Sequence, residues 1–221
     1  MKVVCFDLDD TLYPEIEYVK SGFKAVSRYI AKIKTKKAAD TLYSRLVSLL
    51  NEKGRGQVFD ILLKEEGIYS KYLVKKCIGI YRAHVPEIML SNSVINVLET
   101  ISEKYGNMYL VTDGNLIAQR NKIKKLELDK YFAKCMPTHQ YGRQHSKPSL
   151  YCFDRIKGWE GVDYSNLIYI GDNPYKDFVA LNSVGATTIR VNSGMFKDIF
   201  LDRAHEATYL VNSLEEVQNI L

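Results

Sequence analysis

The sequence predicts an α/β protein: a parallel sheet with helices on both faces, interrupted by an inserted helical domain. Three observations carry that reading. Short apolar runs rich in β-branched residues, KVVCFD (2–7), MYLVT (108–112), LIYIGD (167–172) and TTIRV (187–191), read as buried parallel strands. From about residue 92 onward, helical and strand patterns alternate, as βαβ units require. Between the first two strands, by contrast, lie only helical periodicities.

Taken in order, the first strand is followed by Ile16, Val19, Phe23, Val26, Ile30 and Ile33 at helical spacing, then Leu42, Leu46, Leu49 and Leu50. Further apolar faces run through Val58, Phe59 and Leu62 and through Leu73, Cys77 and Tyr81, making about four helices between residues 15 and 84. A helix carrying Val94, Val97, Leu98 and Ile101 leads into MYLVT. Helix 115–127, a strand near 134–138, helix 148–157, LIYIGD, a helix near 174–184 and TTIRV complete the series. The expected division is a core of 1–14 with 85–221 and a helical insertion of 15–84.

Composition narrows the function. With 46% apolar residues in 221, the chain can bury a sizeable core. Its 31 Lys and Arg are offset by 26 Asp and Glu, and no block of like charge occurs, which disfavours a nucleic-acid polymer as partner. Residues 14–90 hold 15 of these cations against 8 acids, leaving 16 against 18 elsewhere, so the surplus belongs to the helical insertion. No apolar run approaches the roughly 18 residues of a membrane span, and the N-terminus turns acidic where a signal peptide would extend its apolar stretch. A cytoplasmic protein without a membrane partner is expected. The four cysteines, Cys5, Cys77, Cys135 and Cys152, are far apart and read as buried thiols.

The chemistry lies at the strand ends, where open parallel sheets bind ligands. In FDLDDTLYP, Asp7 and Asp9 stand two apart just past the first strand, a spacing that lets an extended backbone send both carboxylates toward one cavity. YIGDNPYKD adds Asp172 and Asp177. A single acid there could equally cap the following helix. Two strands ending in paired acids imply a cation that neutralises their repulsion, and oxygen ligands without His or Cys favour Mg²⁺. Thr112, Asp113 and Gly114 offer a hydroxyl and backbone N–H groups to an anion at a helix start. Lys147, in HSKPS, could deliver its ammonium to the same crevice. His84, His139, His145 and His205 show no metal-ligand spacing.

These stretches together resemble the haloacid dehalogenase-like (HAD) hydrolases: DxDxT at Asp7, Asp9 and Thr11, Thr112 at a strand end, Lys147 before Pro148, and GDxxxxD at Asp172 and Asp177. The likeness spans essentially the whole chain, and the insertion resembles the α-helical cap of subfamily I. It implies a Rossmann-like sheet of order 5-4-1-2-3, with Asp7 as nucleophile, Asp9 as general acid and base, and Thr112 and Lys147, with Thr11, Asp113 and Gly114 beside them, binding the phosphoryl group. Mg²⁺ would be held by Asp7, the backbone carbonyl of Asp9 and Asp172, with Asp177 ligating through water or orienting Lys147. Asp113 and the segment HQYGRQHSKP depart from the pattern without removing a catalytic group.

The expected function is a Mg²⁺-dependent phosphatase acting on a small phosphorylated metabolite, a sugar phosphate or a nucleotide, through an aspartyl-phosphate. FDLDDTLYP is also similar to the opening of pyrimidine 5′-nucleotidase-like members. Halide needs no proton to leave and a haloacid needs no Mg²⁺, so Asp9 and the second acidic motif weigh against a dehalogenase. A phosphomutase of the same fold, or a protein that binds a phosphorylated ligand without turning it over, are the alternatives. The basic insertion and the loop 138–147 are expected to recognise the leaving group.

Overall fold

The computed structural model describes residues 2–33 and 36–221. Strand β1 (Val3–Phe6) is buried along its whole length and lies between β2 (Met108–Thr112) and β4 (Leu167–Gly171). With β3 (Lys134–Pro137), β5 (Thr187–Val191) and β6 (Tyr209–Val211) they form one parallel sheet of order β3-β2-β1-β4-β5-β6. The expected order 5-4-1-2-3 is borne out, and β6 extends it by a strand that has no sequence signature. That strand has three residues, and Tyr209 and Leu210 are exposed, so neither a buried run nor an alternation marks it.

Register is what levels the site. Phe6 pairs with Leu110 on one side and Ile170 on the other, so Asp7, Thr112 and Asp172 all emerge at the C-terminal rim of the three central strands. The alternating side chains Cys5, Tyr109, Val111, Met136 and Tyr169 turn to one face and pack with Phe153, Ile156 and Phe178. Each fully buried large apolar side chain of this kind contributes roughly 1.5–3 kcal/mol.

The chain divides into two compact units, Met1–Glu15 with Met89–Leu221, and Ile16–Ile88. The second contains the rest of α1 (Glu15–Ile33) with α2 (Ala39–Lys53), α3 (Val58–Glu65) and α4 (Lys71–Ala83). It has its own core of Val19, Phe23, Val26, Ile30, Leu46 and Leu62, on the helical periodicity of the sequence. Residues 85–88 stay with this unit, beyond the expected boundary at 84, because the Glu87 amide donates to Ser21 Oγ (3.0 Å) and its carboxylate accepts from Lys24 (2.5 Å).

In the sheet unit, α5 (Asn92–Tyr105) and α6 (Leu116–Lys125) start at side-chain caps from Ser91 and Asn115. Helix α7 (Tyr151–Glu160) begins three residues later than the sequence predicts, because Ser149 N closes a turn onto Ser146 O. The helix expected over 174–184 is reduced to α8 (Val179–Ser183). Its first half instead forms a tight turn in which the amides of Lys176 and Asp177 both donate to Asn173 O. Three of the cysteines are buried and Cys135 is half-buried.

Candidate active site

Three carboxylates meet at the rim of the sheet. One oxygen each from Asp7, Asp172 and Asp177 lie within 4.8 Å of one another, and all three residues are buried. Asp7 is fixed by its own amide, which donates to Ile170 O across the sheet (2.8 Å). Asp177 is folded back under β4, where its Oδ2 accepts from Asn173 N (2.9 Å). Gly171 makes this possible: a Cβ there would meet Asp177 Oδ2 at 2.6 Å. Among the described residues, this is the group of His, Cys, Asp or Glu side chains able to hold an ion.

Lys147 Nζ lies 2.9 Å from Asp7 Oδ1 and 2.7 Å from Asp177 Oδ1, and donates to Tyr169 OH (2.7 Å). It is off hydrogen-bond alignment with both carboxylates, so each Oδ1 keeps lone pairs without a donor. One ammonium does not balance three buried acids. Burial first, and then the charges of Asp177 and Asp7, push Asp172 up to about 9. Asp7 is pushed up to about 6 by burial, against the pull of Lys147. Asp7 and Asp172, which resist ionisation until a cation arrives, fit a hard divalent metal, and the donorless oxygens of Asp7 and Asp177 give that cation lone pairs to meet.

Asp9 belongs to a different group. Past Phe6 the chain leaves the extended course, with Thr11 and Leu12 amides turning back onto Leu8 O, and Asp10 adopting φ 55°. The Asp9 carboxylate therefore does not join the cluster of three. It accepts from Lys122 Nζ at 2.8 Å on both oxygens, from Gln119 Nε2 (2.9 Å) and from Tyr13 OH (2.5 Å). Burial raises its pKa, but Lys122 foremost, with the Tyr13 and Gln119 hydrogen bonds, holds it below the ordinary carboxylate range. Asp10 organises the turn itself. Its Oδ1 accepts from Glu15 N at the start of α1 (2.8 Å), and its carbonyl accepts from Ser193 Oγ.

The third group stands at the end of β2. Thr112 is buried and its hydroxyl accepts from Gln119 Nε2 (2.7 Å). Gly114 sits at φ 138°, where a Cβ would meet the Gln119 side chain at 3.1 Å. Asp113 accepts from Thr138 Oγ1 (2.6 Å), Lys147 N (3.2 Å) and Lys176 Nζ (3.2 Å). Burial raises its pKa, but Lys147 and Lys176 outweigh it and keep the carboxyl ionised. Thr11 is buried with a hydroxyl that has no partner among the described residues.

The model of a known family, described as haloacid dehalogenase-like hydrolase, matches residues 4–191, a span that contains all of these groups. The chain belongs to the haloacid dehalogenase-like hydrolases. Among HAD proteins, it is 26% identical to a glyceraldehyde 3-phosphate phosphatase of Methanocaldococcus jannaschii over 100% of this chain and 97% of the relative. It is 27% identical to the protein of that name from Pyrococcus furiosus, over 100% and 93%. Among solved structures, the HAD hydrolase YfnB of Bacillus subtilis, bound to magnesium, superposes with a TM-score of 0.71 at 18% identity, over 100% of this chain and 98% of that one. The expectation of a phosphoric monoester hydrolase is borne out by these relatives.

Within the HAD frame, the structure brings together Asp7, Asp172, Asp177 and Lys147, puts Thr112 and Asp113 beside them, and routes the Asp9 side chain to α6. Four residues that the sequence reading left out complete these groups: Tyr13, Gln119, Lys122 and Lys176. A signal existed for two of them. Gln119 and Lys122 are polar, three apart, and share the inward face of α6 with Ala118 and Ile123, where a polar pair needs an internal partner. Of the histidines, His84 pairs with Ser21 Oγ (2.5 Å), His145 stacks on Tyr151 and His205 pairs with Asp202. His139 lies in a short 3₁₀ turn. None of the four joins the acid cluster.

Proposed function

We propose that this chain hydrolyses small phosphomonoesters, with a triose phosphate such as glyceraldehyde 3-phosphate as the first candidate substrate, through an aspartyl-phosphate on Asp7 and with Mg²⁺. One observation carries the reading: the buried cluster of Asp7, Asp172 and Asp177 against Lys147. The relatives' names supply the choice of substrate.

The Asp7 carboxylate attacks phosphorus and the bond to the ester oxygen breaks, while Lys147 screens the carboxylate's charge from the phosphate oxygens. Asp7, Asp172 and the Asp9 backbone carbonyl would hold Mg²⁺, with Asp177 close by. When bound, the metal neutralises the cluster and the developing charge on phosphorus. The Thr112 and Thr11 hydroxyls and the Gly114 turn are assigned to the phosphoryl oxygens. The Asp9 carboxylate takes a proton from the water that hydrolyses the aspartyl-phosphate, and that proton then goes to the leaving oxygen of the next ester. Lys122 presents Asp9 here as the carboxylate, the form that activates water in the second half-reaction. Recognition of the rest of the ester is assigned in the sheet unit to loop 138–147.

Phosphate release from glyceraldehyde 3-phosphate and from p-nitrophenyl phosphate, with Mg²⁺ and then with EDTA, tests the reading. Turnover that EDTA abolishes and Mg²⁺ restores is expected. A chain that turns over neither ester, or does so unchanged in EDTA, would sink it.

A further inference from the structure

We propose that Lys176 is a substrate-binding residue whose ammonium receives a non-bridging oxygen of the phosphoryl group. The proposal rests on the phosphatase reading above and adds to it a group outside the four motif stretches' expected ligands.

The argument starts from what Lys147 can offer. Its side chain is 1% exposed, and its ammonium is enclosed by Asp7 Oδ1, Asp177 Oδ1 and Tyr169 OH at 2.7–2.9 Å. An ammonium has three N–H donors and one charge. Here the charge lies between two carboxylates, and the side chain is almost fully enclosed. Lys147 holds and screens the nucleophile, and two carboxylates already offset its single charge.

Lys176 is the residue before Asp177, in the turn that Asn173 closes, so folding Asp177 inward brings the next side chain to the same rim. Its side chain is 29% exposed, and its polar contact is with Asp113 Oδ2 at 3.2 Å. Two donors are thus left for a ligand. Lys147 repels Lys176, while Asp177, Asp7 and Asp113 attract it, so its charge and that of Lys147 act on the same group of acids. Asp113 is tied in turn to Thr138 and to the Lys147 amide, so it holds Lys176 in a fixed position relative to Lys147. A half-buried ammonium anchored at one donor to Asp113, which also accepts from the Lys147 amide, suits electrostatic stabilisation of a doubly charged group arriving at that rim.

The probe is inorganic phosphate, titrated calorimetrically against the full chain in buffer containing MgCl₂. Lys176→Met should weaken phosphate binding roughly tenfold to a hundredfold, as expected for loss of a charge-assisted contact. KM for p-nitrophenyl phosphate and for glyceraldehyde 3-phosphate should rise by a similar factor, and Lys176→Arg should restore most of both. Phosphate affinity within about twofold of wild type in Lys176→Met would overturn the proposal. So would a rise in KM confined to glyceraldehyde 3-phosphate, which would place Lys176 on the sugar, or a wild-type chain that does not bind phosphate. If the wild type binds phosphate, loses it in Lys176→Met, yet hydrolyses no ester, the phosphatase reading fails and the Lys176 site stands. Should the Met variant not fold, NMR of the ¹⁵N-labelled lysine ammonium groups in the wild type decides instead. A phosphate-dependent shift of the Lys176 signal supports the contact, and an unmoved signal refutes it.

Discussion

Lys122 Nζ lies 2.8 Å from both carboxylate oxygens of Asp9, and its side chain is 3% exposed. The pair links α6, which follows the second strand, to the turn after the first. Removing the cation leaves Asp9 with a charge it can no longer share. Lys122→Met should therefore destabilise the fold by about 2–4 kcal/mol, toward the lower end of what a buried pair costs because Asp9 is 18% exposed. Urea denaturation of Lys122→Met, Asp9→Asn and the double variant is the measurement. Additive losses in that cycle would show that the two residues do not depend on each other.

The acid cluster fixes the sign of a pH dependence. Asp172 is held near 9 and Asp7 near 6, both above their ordinary values, so between about pH 4 and 9 the folded chain binds more protons than the unfolded one. Metal-free stability should therefore fall as pH rises through that window. Melting temperatures in EDTA from pH 5 to 9 should show this decline, and Mg²⁺ should raise the melting temperature more at pH 8.5 than at pH 6. Asp172→Asn should flatten the decline and lose the Mg²⁺ effect. A Mg²⁺ increment independent of pH would contradict the cluster as the binding site.

The two acids of the first turn should separate kinetically. Asp7→Asn is expected to form no covalent intermediate. Asp9→Asn should still accept phosphate from p-nitrophenyl phosphate, whose leaving group needs little protonation, and then hydrolyse the aspartyl-phosphate slowly. Intact-mass spectrometry after mixing would show a gain of one phosphoryl group in Asp9→Asn alone. A phosphorylated Asp7→Asn protein would move the nucleophile elsewhere.

Gly171 offers a steric test. A methyl group there would meet Asp177 Oδ2 at 2.6 Å and Tyr169 Cε1 at 3.1 Å. Gly171→Ala should cost about 1–3 kcal/mol through overpacking and raise the Mg²⁺ concentration needed for half-maximal activity, because Asp177 must move. Calorimetric melting and a Mg²⁺ titration would measure the two effects. A variant with wild-type values for both would mean that Asp177 has room the structure does not show.

How much of this is legible in the sequence depends on whether the decisive interactions are local. Strands β1, β2, β4 and β5 lie where β-branched apolar runs place them, because a strand buried on both faces has no other composition open to it. The order of those strands, and the nearness of Asp7 to Asp172, are what the resemblance carried by the DxDxT and GDxxxxD stretches implies. Strand β6 was not legible, since three residues on a sheet edge, two of them exposed, carry no periodic signal. Nor was the shortening of the helix expected over 174–184, where Asn173 closes a turn that outweighs helical propensity.

By itself, then, the sequence determined the sheet, the helical insertion, and which acids, threonine and lysine stand at the strand ends, because these follow from the period and punctuation of one stretch of chain at a time. Only the tertiary structure decided how the charges divide. Lys147 serves Asp7 and Asp177, Lys122 serves Asp9, and Lys176 serves Asp113. Those pairings join residues from 30 to 140 positions apart only where packing brings them within 3.2 Å, and Coulombic attraction at that range depends on distance and burial rather than on order along the chain.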